Sequence, residues 1–183
     1  MSIFCKLGVR RKARRFVAVE IDKLTNSIED ASTGALLQTT LSKFSGREKN
    51  YRRREWVFDW KKEVRHHDRE VFKLIADQFP DVIQGLIGMS DRGDHIFLNL
   101  IETAGFNRGK DKLFKGVAGN LVAFACKQSL ESGYRGVVSF ISKTKLINHY
   151  RLTLGAEVIA GQRMAIGAHS ASLLIRRYFG ETQ

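Results

Sequence analysis

Apolar and polar residues alternate through much of the first half of the chain and then recur at helical spacing, and this change of period organises the sequence. Phe16-Val-Ala-Val-Glu-Ile-Asp22 alternates and is rich in β-branched residues, which predicts a first strand. In residues 23–50, Leu24, Ile28, Leu36, Leu37 and Leu41 are spaced for a helix broken near Ser32-Thr-Gly34. Trp56–Phe58 predicts a short strand followed by a helical turn. Arg69–Asp77 alternates around Val71 as a strand, Gln78-Phe-Pro-Asp81 is a turn, and Val82–Met89 is a further strand softened by Gly85 and Gly88. Asp91-Arg-Gly-Asp94 is a tight turn, with Gly93 where a positive φ is needed, and His95–Ile101 follows as a strand. Short connections of this kind join an antiparallel meander.

Beyond the meander the period changes. Thr103–Leu113 is a polar, Gly-containing loop. From Ala118 to Glu131, Leu121, Val122, Ala125, Cys126 and Leu130 recur as one face of a helix, and Gly133 sits where a helix end belongs. Gly136–Ile141 reads as a strand and Thr144–Leu154 as a helix ended by Gly155. Glu157–Ile166 holds a strand or hairpin interrupted by Gly161, and Ser170–Phe179 is a last helix. A meander feeding strand–helix–strand–helix–strand predicts an α/β fold: one mixed sheet with helices packed on both faces.

Composition narrows the class. At 183 residues and 43% hydrophobic the chain can bury one core. The expected organisation is a basic arm over residues 1–15 and a single domain over residues 16–183. No apolar run reaches bilayer length, and the basic run Arg10–Arg15 follows the short apolar Met1–Leu7 stretch rather than preceding it, unlike a secretory signal. A cytoplasmic location is expected, without membrane partners. Cys5 and Cys126 lie far apart and match no metal spacing, as expected of free thiols in a reducing compartment.

The net charge of +12 favours acidic partners. It is concentrated in Lys6–Arg15 and in Lys49–Arg69, where Arg52, Arg53 and Arg54 lie among Tyr51, Trp56 and Trp60. Cations interleaved with aromatics suit RNA or another nucleic acid, by phosphate neutralisation and base stacking. A solvated surface is the plainer alternative.

The chemistry-bearing unit is Lys115-Gly-Val-Ala-Gly-Asn120, which opens a helix after a strand and loop. The first N–H groups of a helix have no internal acceptor and that end is partly positive, so bare glycines at Gly116 and Gly119 suit a pyrophosphate. Lys115 and Lys112 add charge. Ordinary turn glycines would give the same pattern. The stretch is neither Gly-x-Gly-x-x-Gly nor a P-loop, which argues against dinucleotide and nucleotidase sites. His66-His67-Asp68 point in different directions, His95, His149 and His169 have no ligand spacing, and no metal is expected. Ser139 and Ser142 lack the Gly-x-Ser-x-Gly elbow of a hydrolase.

Over about residues 82–166 these motifs, in this order, resemble the GNAT acyltransferase superfamily. Its acyl-CoA loop, Arg/Gln-x-x-Gly-x-Gly/Ala, is similar to Leu113-Phe-Lys-Gly116-Val-Ala118, with Leu113 in place of the leading Arg or Gln. Asn120-Leu-Val-Ala-Phe-Ala125 resembles the pyrophosphate-binding helix, Gly133–Phe140 the turn and strand after it, and His149-Tyr150 through Gly155-Ala156 the family's Tyr-x-x-x-Gly-Phe segment, slightly lengthened. The loop before Gly116 is longer than usual, and Lys143 stands where an Asn is often found.

The resemblance implies acetyl transfer from acetyl-CoA to an amine. It places Lys115, Gly116, Val117, Ala118, Gly119, Asn120 and Lys143 at the CoA and makes Tyr150 the acid that protonates the departing thiolate. Glu102, at the end of the acceptor-side strand, is the candidate base, with a solvated loop carboxylate or an N–H acceptor within the long loop as its alternatives. The acceptor itself stays unnamed. Some GNAT toxins acetylate aminoacyl-tRNA, and a basic acetyltransferase of that kind would use the Arg52–Arg54 surface. The competing class is a nucleic-acid-binding or regulatory module that keeps the fold without catalysis.

Overall fold

A computed structural model describes residues 27–180. The basic arm and the expected strand Phe16–Asp22 lie outside these residues. Among the described residues, nine strands form one sheet in the order β6-β1-β2-β3-β4-β5-β7-β9-β8. They are β1 (Ser27–Asp30), β2 (Leu36–Lys43), β3 (Glu70–Ala76), β4 (Phe79–Asp91), β5 (Ile96–Thr103), β6 (Phe114–Lys115), β7 (Val138–Ile141), β8 (Glu157–Ala160) and β9 (Arg163–Ile166). The helices are α1 (Trp60–Val64), α2 (Val117–Glu131), α3 (Ile147–Leu154) and α4 (Ala168–Phe179). Every neighbouring pair is antiparallel except β5 with β7. The antiparallel meander and the α/β alternation after it are therefore as the residue pattern predicts. No helix among the described residues is long and apolar enough to cross a membrane.

Residues 27–43 are a hairpin, not the broken helix that the leucine spacing suggested. Ile28 stands opposite Leu37, so residues that looked helical in spacing are cross-strand partners. The turn explains the choice. The Asp30 carboxylate accepts from the backbone N–H of Ser32 and of Thr33 and from the Ser32 hydroxyl, and Gly34 takes a φ of 72°. An Asx turn and a left-handed glycine favour reversal of the chain over helix. These bonds hold the Asp30 carboxyl down at about 2, the Ser32 hydroxyl contributing most.

Trp56–Phe58 is likewise not a strand. A 3₁₀ turn at Arg53–Glu55 precedes it, and the N–H groups of Val57 and Phe58 are used on a side chain instead of a ladder. At the other end of the meander, Phe79-Pro-Asp81 belongs to β4, so the turn is shorter than the Pro suggested.

Helices cover both faces. On one, Leu121 and Val117 of α2 lie over Gly85, where an added Cβ would come within 2.8 Å of Leu121 and 3.0 Å of Val117. On the other, Glu63 of α1 lies over Gly88, at 2.9 Å from an added Cβ. The main core joins Leu74, Ile87, Leu98, Leu121, Val138, Met164 and Leu174. A second core on the α1 face gathers Phe44, Tyr51, Trp56, Trp60, Val71 and Leu86.

Candidate active site

The site begins where two parallel strands separate. β5 and β7 pair at Ile96–Val138, Phe97–Ser139 and Leu98–Phe140, and the pairing ends there. β5 nevertheless runs on to Thr103, still paired with β4 on its other side. At the same point β5 carries a bulge. Met89 faces Leu98 and Gly88 faces Leu100, which leaves Asn99 as the extra residue. The bulge switches the faces of the strand: Ile96 and Leu98 enter the main core, whereas Leu100 packs with the second. No strand among the described residues pairs with the β7-facing edge of β5 beyond Leu98, and at the end of the strand the Thr103 carbonyl accepts from Arg108 instead. The sequence did not foretell this wedge, because bulges and the length of a ladder leave no signature in residue spacing.

Tyr150 sits at the apex. Its ring meets Phe140 edge-on, with centroids 5.2 Å apart and planes at 83°. Phe140 is the residue at which the strands part. The Tyr150 hydroxyl has no hydrogen-bond partner among the described residues, and burial raises its pKa above the usual 10, so the phenol keeps its proton at neutral pH. Lys143 is exposed just beyond the end of β7, at the rim of the wedge.

Gly116 turns the chain into α2 with φ 86° and ψ −7°, and no side chain caps the helix. The N–H of Asn120 is already committed to the Gly116 carbonyl at 2.9 Å. That leaves Val117, Ala118 and Gly119 as the residues whose N–H groups lack an intrahelical acceptor. The turn is held from outside by several contacts. Lys115 lies opposite Glu29 in the β6–β1 pair, Leu113 accepts from the Ala31 N–H at 2.8 Å, and Phe114 donates to the buried Asn107 side chain at 3.2 Å. Asn107 in turn donates to Gln84 of β4. The long loop before the turn is therefore folded around Asn107.

The residues expected around a CoA phosphate separate into two groups. Lys115 and Ala118 are exposed at the turn, and Gly116 is half-buried there, whereas the side chain of Val117 is buried in the core. Asn120 points inward, donating to the Thr39 hydroxyl at 3.1 Å and to the Ser27 carbonyl at 3.4 Å. Gly119 is bare for a different reason than ligand access: an added Cβ would lie 2.0 Å from the Tyr178 hydroxyl of α4. This glycine lets two helices approach.

Glu102 is a backbone N–H acceptor, but for residues 57 and 58 and not for the backbone of the loop that follows it. Its side chain is 4% exposed. One oxygen accepts from the Val57 N–H at 2.7 Å and pairs with Arg108; the other accepts from the Phe58 N–H at 3.2 Å and from the Trp60 indole at 2.8 Å. A carboxylate offers about four lone-pair sites. All are taken, so no acceptor capacity remains for a substrate amine. Glu102 instead clamps the segment 57–60 to the end of β5.

The aromatic half of the expected nucleic-acid surface is overturned. Tyr51, Trp56 and Trp60 are 7%, 6% and 0% exposed and form the second core, which no base can reach. Arg52, Arg53 and Arg54 are exposed. Arg53 is also committed locally, donating to the Trp56 carbonyl at 2.6 Å. No group of His, Cys, Asp or Glu placed to hold a metal ion occurs among the described residues. Cys126 is a buried free thiol, and burial pushes its pKa up to about 12.

No protein family and no curated protein matches this sequence. Solved structures do match in fold. A point mutant of the AtaT toxin, bound to the C-terminus of the antitoxin AtaR and acetyl-CoA, superposes with a TM-score of 0.53 at 12% identity, over 74% of this chain and 97% of that one. The KacTA–DNA complex gives 0.53 at 15% identity, over 75% and 98%. The AtaT–AtaR complex bound to DNA gives 0.54 at 14% identity, over 74% and 98%. The resemblance first seen in the motifs thus extends to the architecture: the chain has a GNAT-like fold.

Proposed function

We propose that the protein is an acyl-CoA-dependent N-acyltransferase that moves an acetyl group from acetyl-CoA to an amine. The observation that carries this reading is the parting of β5 from β7 at Leu98 and Phe140, with Tyr150 packed on the same point. An open backbone edge, a protonated phenol and a bare helix start fit the thioester and pyrophosphate of acetyl-CoA.

Each part has a role in the reading. The N–H groups of Val117, Ala118 and Gly119 bind the pyrophosphate at the positive end of α2, and Lys115 and Lys143 add charge. Gly116 makes the turn, and Val117 anchors it through its buried side chain. The edge of β5 beyond Leu98 holds the acyl-pantetheine arm and offers N–H groups to the developing oxyanion. The amine attacks the thioester carbonyl; the C–N bond forms as the C–S bond breaks. Tyr150 gives its proton to the leaving thiolate and regains one from solvent, while water takes the proton lost by the amine. Glu102 acts at one remove, through the position of residues 57–60.

The acceptor enters on the face opposite α2, where residues 44–65 lie. Exposed Arg52 and Arg54 on that segment support an anionic acceptor or carrier, RNA among them. Nothing favours a purely nucleic-acid-binding module over an enzyme, since the aromatics such a module would use are buried.

Thermal denaturation with and without acetyl-CoA tests the reading. A ligand at ~100 times its Kd adds ~2.7 kcal/mol to stability. The expected result is a concentration-dependent rise in Tm with acetyl-CoA, and thiol release on addition of an amine. Stabilisation by RNA with no response to acetyl-CoA would overturn it.

A further inference from the structure

The ammonium of Lys115, immediately before the Gly116 turn, is not free. It lies 3.0 Å from Glu29 Oε1, with the two side chains 48% and 27% exposed. The pair is built into the sheet. Glu29 and Lys115 stand directly opposite one another in β1 and β6, where cross-strand side chains share a face. Glu29 is fixed on both sides, because its other neighbour is Leu36 of β2. The Asp30 turn and the bond from the Ala31 N–H to the Leu113 carbonyl hold the next residues. Lys115 is the movable partner, a point charge on a flexible four-carbon stem.

We infer that Glu29 is a resident counter-anion for Lys115, which the cofactor's pyrophosphate displaces when it binds. The inference rests on the reading of the α2 turn as a phosphate site. An incoming phosphate at the amides of Val117–Gly119 draws the ammonium away from Glu29, leaving a partly exposed carboxylate that water solvates. The exchange has two consequences. A singly charged anion gains little by displacing a carboxylate, whereas a pyrophosphate does, so the pair selects for a polyanion. It also weakens retention of the product CoA, because Glu29 is ready to reclaim the lysine. Glu29 is thus a positioning residue that acts through Lys115.

Calorimetry on the full chain tests this with Glu29→Gln, Lys115→Met and the double variant, using acetyl-CoA and acetylpantetheine, the fragment without phosphate. Exposed pairs of this kind correspond to about 2- to 5-fold in affinity. Glu29→Gln is expected to tighten acetyl-CoA by that factor and to steepen the weakening of binding by salt. Acetylpantetheine should gain nothing. Lys115→Met should weaken acetyl-CoA, and in its background Glu29→Gln should no longer tighten it. A structural lesion in the hairpin would lower affinity, so a gain cannot come from damage. Unchanged or weaker acetyl-CoA binding in Glu29→Gln, alongside a loss in Lys115→Met, would overturn the exchange while leaving the phosphate site standing. Undiminished affinity in Lys115→Met would overturn it through the lysine. Failure of the unaltered protein to bind acetyl-CoA would remove the functional reading and the exchange together.

Discussion

Leu98 stands opposite Phe140 in the last parallel pair between β5 and β7, and the Asn99 bulge falls on the very next residue of β5. One strand therefore changes the faces of its side chains just where its neighbour leaves it. Restoring the ladder would close the wedge. Because Tyr150 packs on Phe140, the apex and the proposed acid are a single packed unit.

Replacing Tyr150 with Phe keeps that packing and removes only the hydroxyl. General acid catalysis contributes about 10²–10⁴-fold. Turnover of acetyl-CoA, measured by thiol release with an amine or by its slow hydrolysis, is expected to fall by that factor with acetyl-CoA affinity nearly unchanged. Full activity in Tyr150→Phe would assign the proton to solvent; loss of acetyl-CoA binding would make the tyrosine structural.

Glu102→Gln separates a clamp from a base. The substitution presents an NH₂ to groups that are themselves donors, leaving at least one unsatisfied at a buried site. The cost is about 1–3 kcal/mol. A urea titration should show that loss, with acetyl-CoA affinity retained. A pH–rate profile that loses an ionisation in Glu102→Gln without any change in stability would instead restore Glu102 as the base.

Gly119→Ala inverts the usual helix preference. Alanine is favoured over glycine inside a helix by about 1 kcal/mol. Here its methyl would meet the Tyr178 hydroxyl at 2.0 Å and ring carbons at 2.5 Å and 3.0 Å, so α4 must shift from α2. The variant is expected to melt below the unaltered protein. A higher Tm would mean that Tyr178 yields without cost.

Asp30 gives a pH dependence with a defined sign. Its carboxyl is held at about 2 against an ordinary 3.8, so it titrates below its unfolded counterpart. Its contribution to the hairpin is complete above about pH 4 and is lost as pH falls through about 2. An NMR titration should find the Asp30 carboxyl still ionised at pH 3, and Asp30→Asn should remove that titration. A midpoint near the ordinary value would mean that the Ser32 and Thr33 bonds do not persist in solution.

The meander and the α/β alternation were legible because period and punctuation agreed: Val71, Gly93, Gly133 and Gly155 mark elements close to where they lie. The hairpin at residues 27–43 was not, since Ile28, Leu37 and Leu41 fit a helical spacing and a strand pairing alike, and the deciding feature is the Asp30 turn. Tyr150 and the Gly116 turn were legible as motifs. The roles of their neighbours depended on packing: Gly119 serves Tyr178, Asn120 faces Thr39, and Trp56 and Trp60 are core. The commitment of Glu102 was hidden because three of its four donors, on Val57, Phe58 and Trp60, come from residues more than forty positions away.

The central claim is that acetyl-CoA lies along the β5 edge with its pyrophosphate on the start of α2. A titration of the ¹⁵N-labelled protein with acetyl-CoA, followed by amide chemical shifts, measures this directly. The account predicts the largest shifts at Val117, Ala118 and Gly119 and along β5 from Asn99 to Ile101, with Asp91–His95 at the far end of the meander unmoved. Saturable binding that leaves Val117–Gly119 unshifted, or no binding at all, would contradict it.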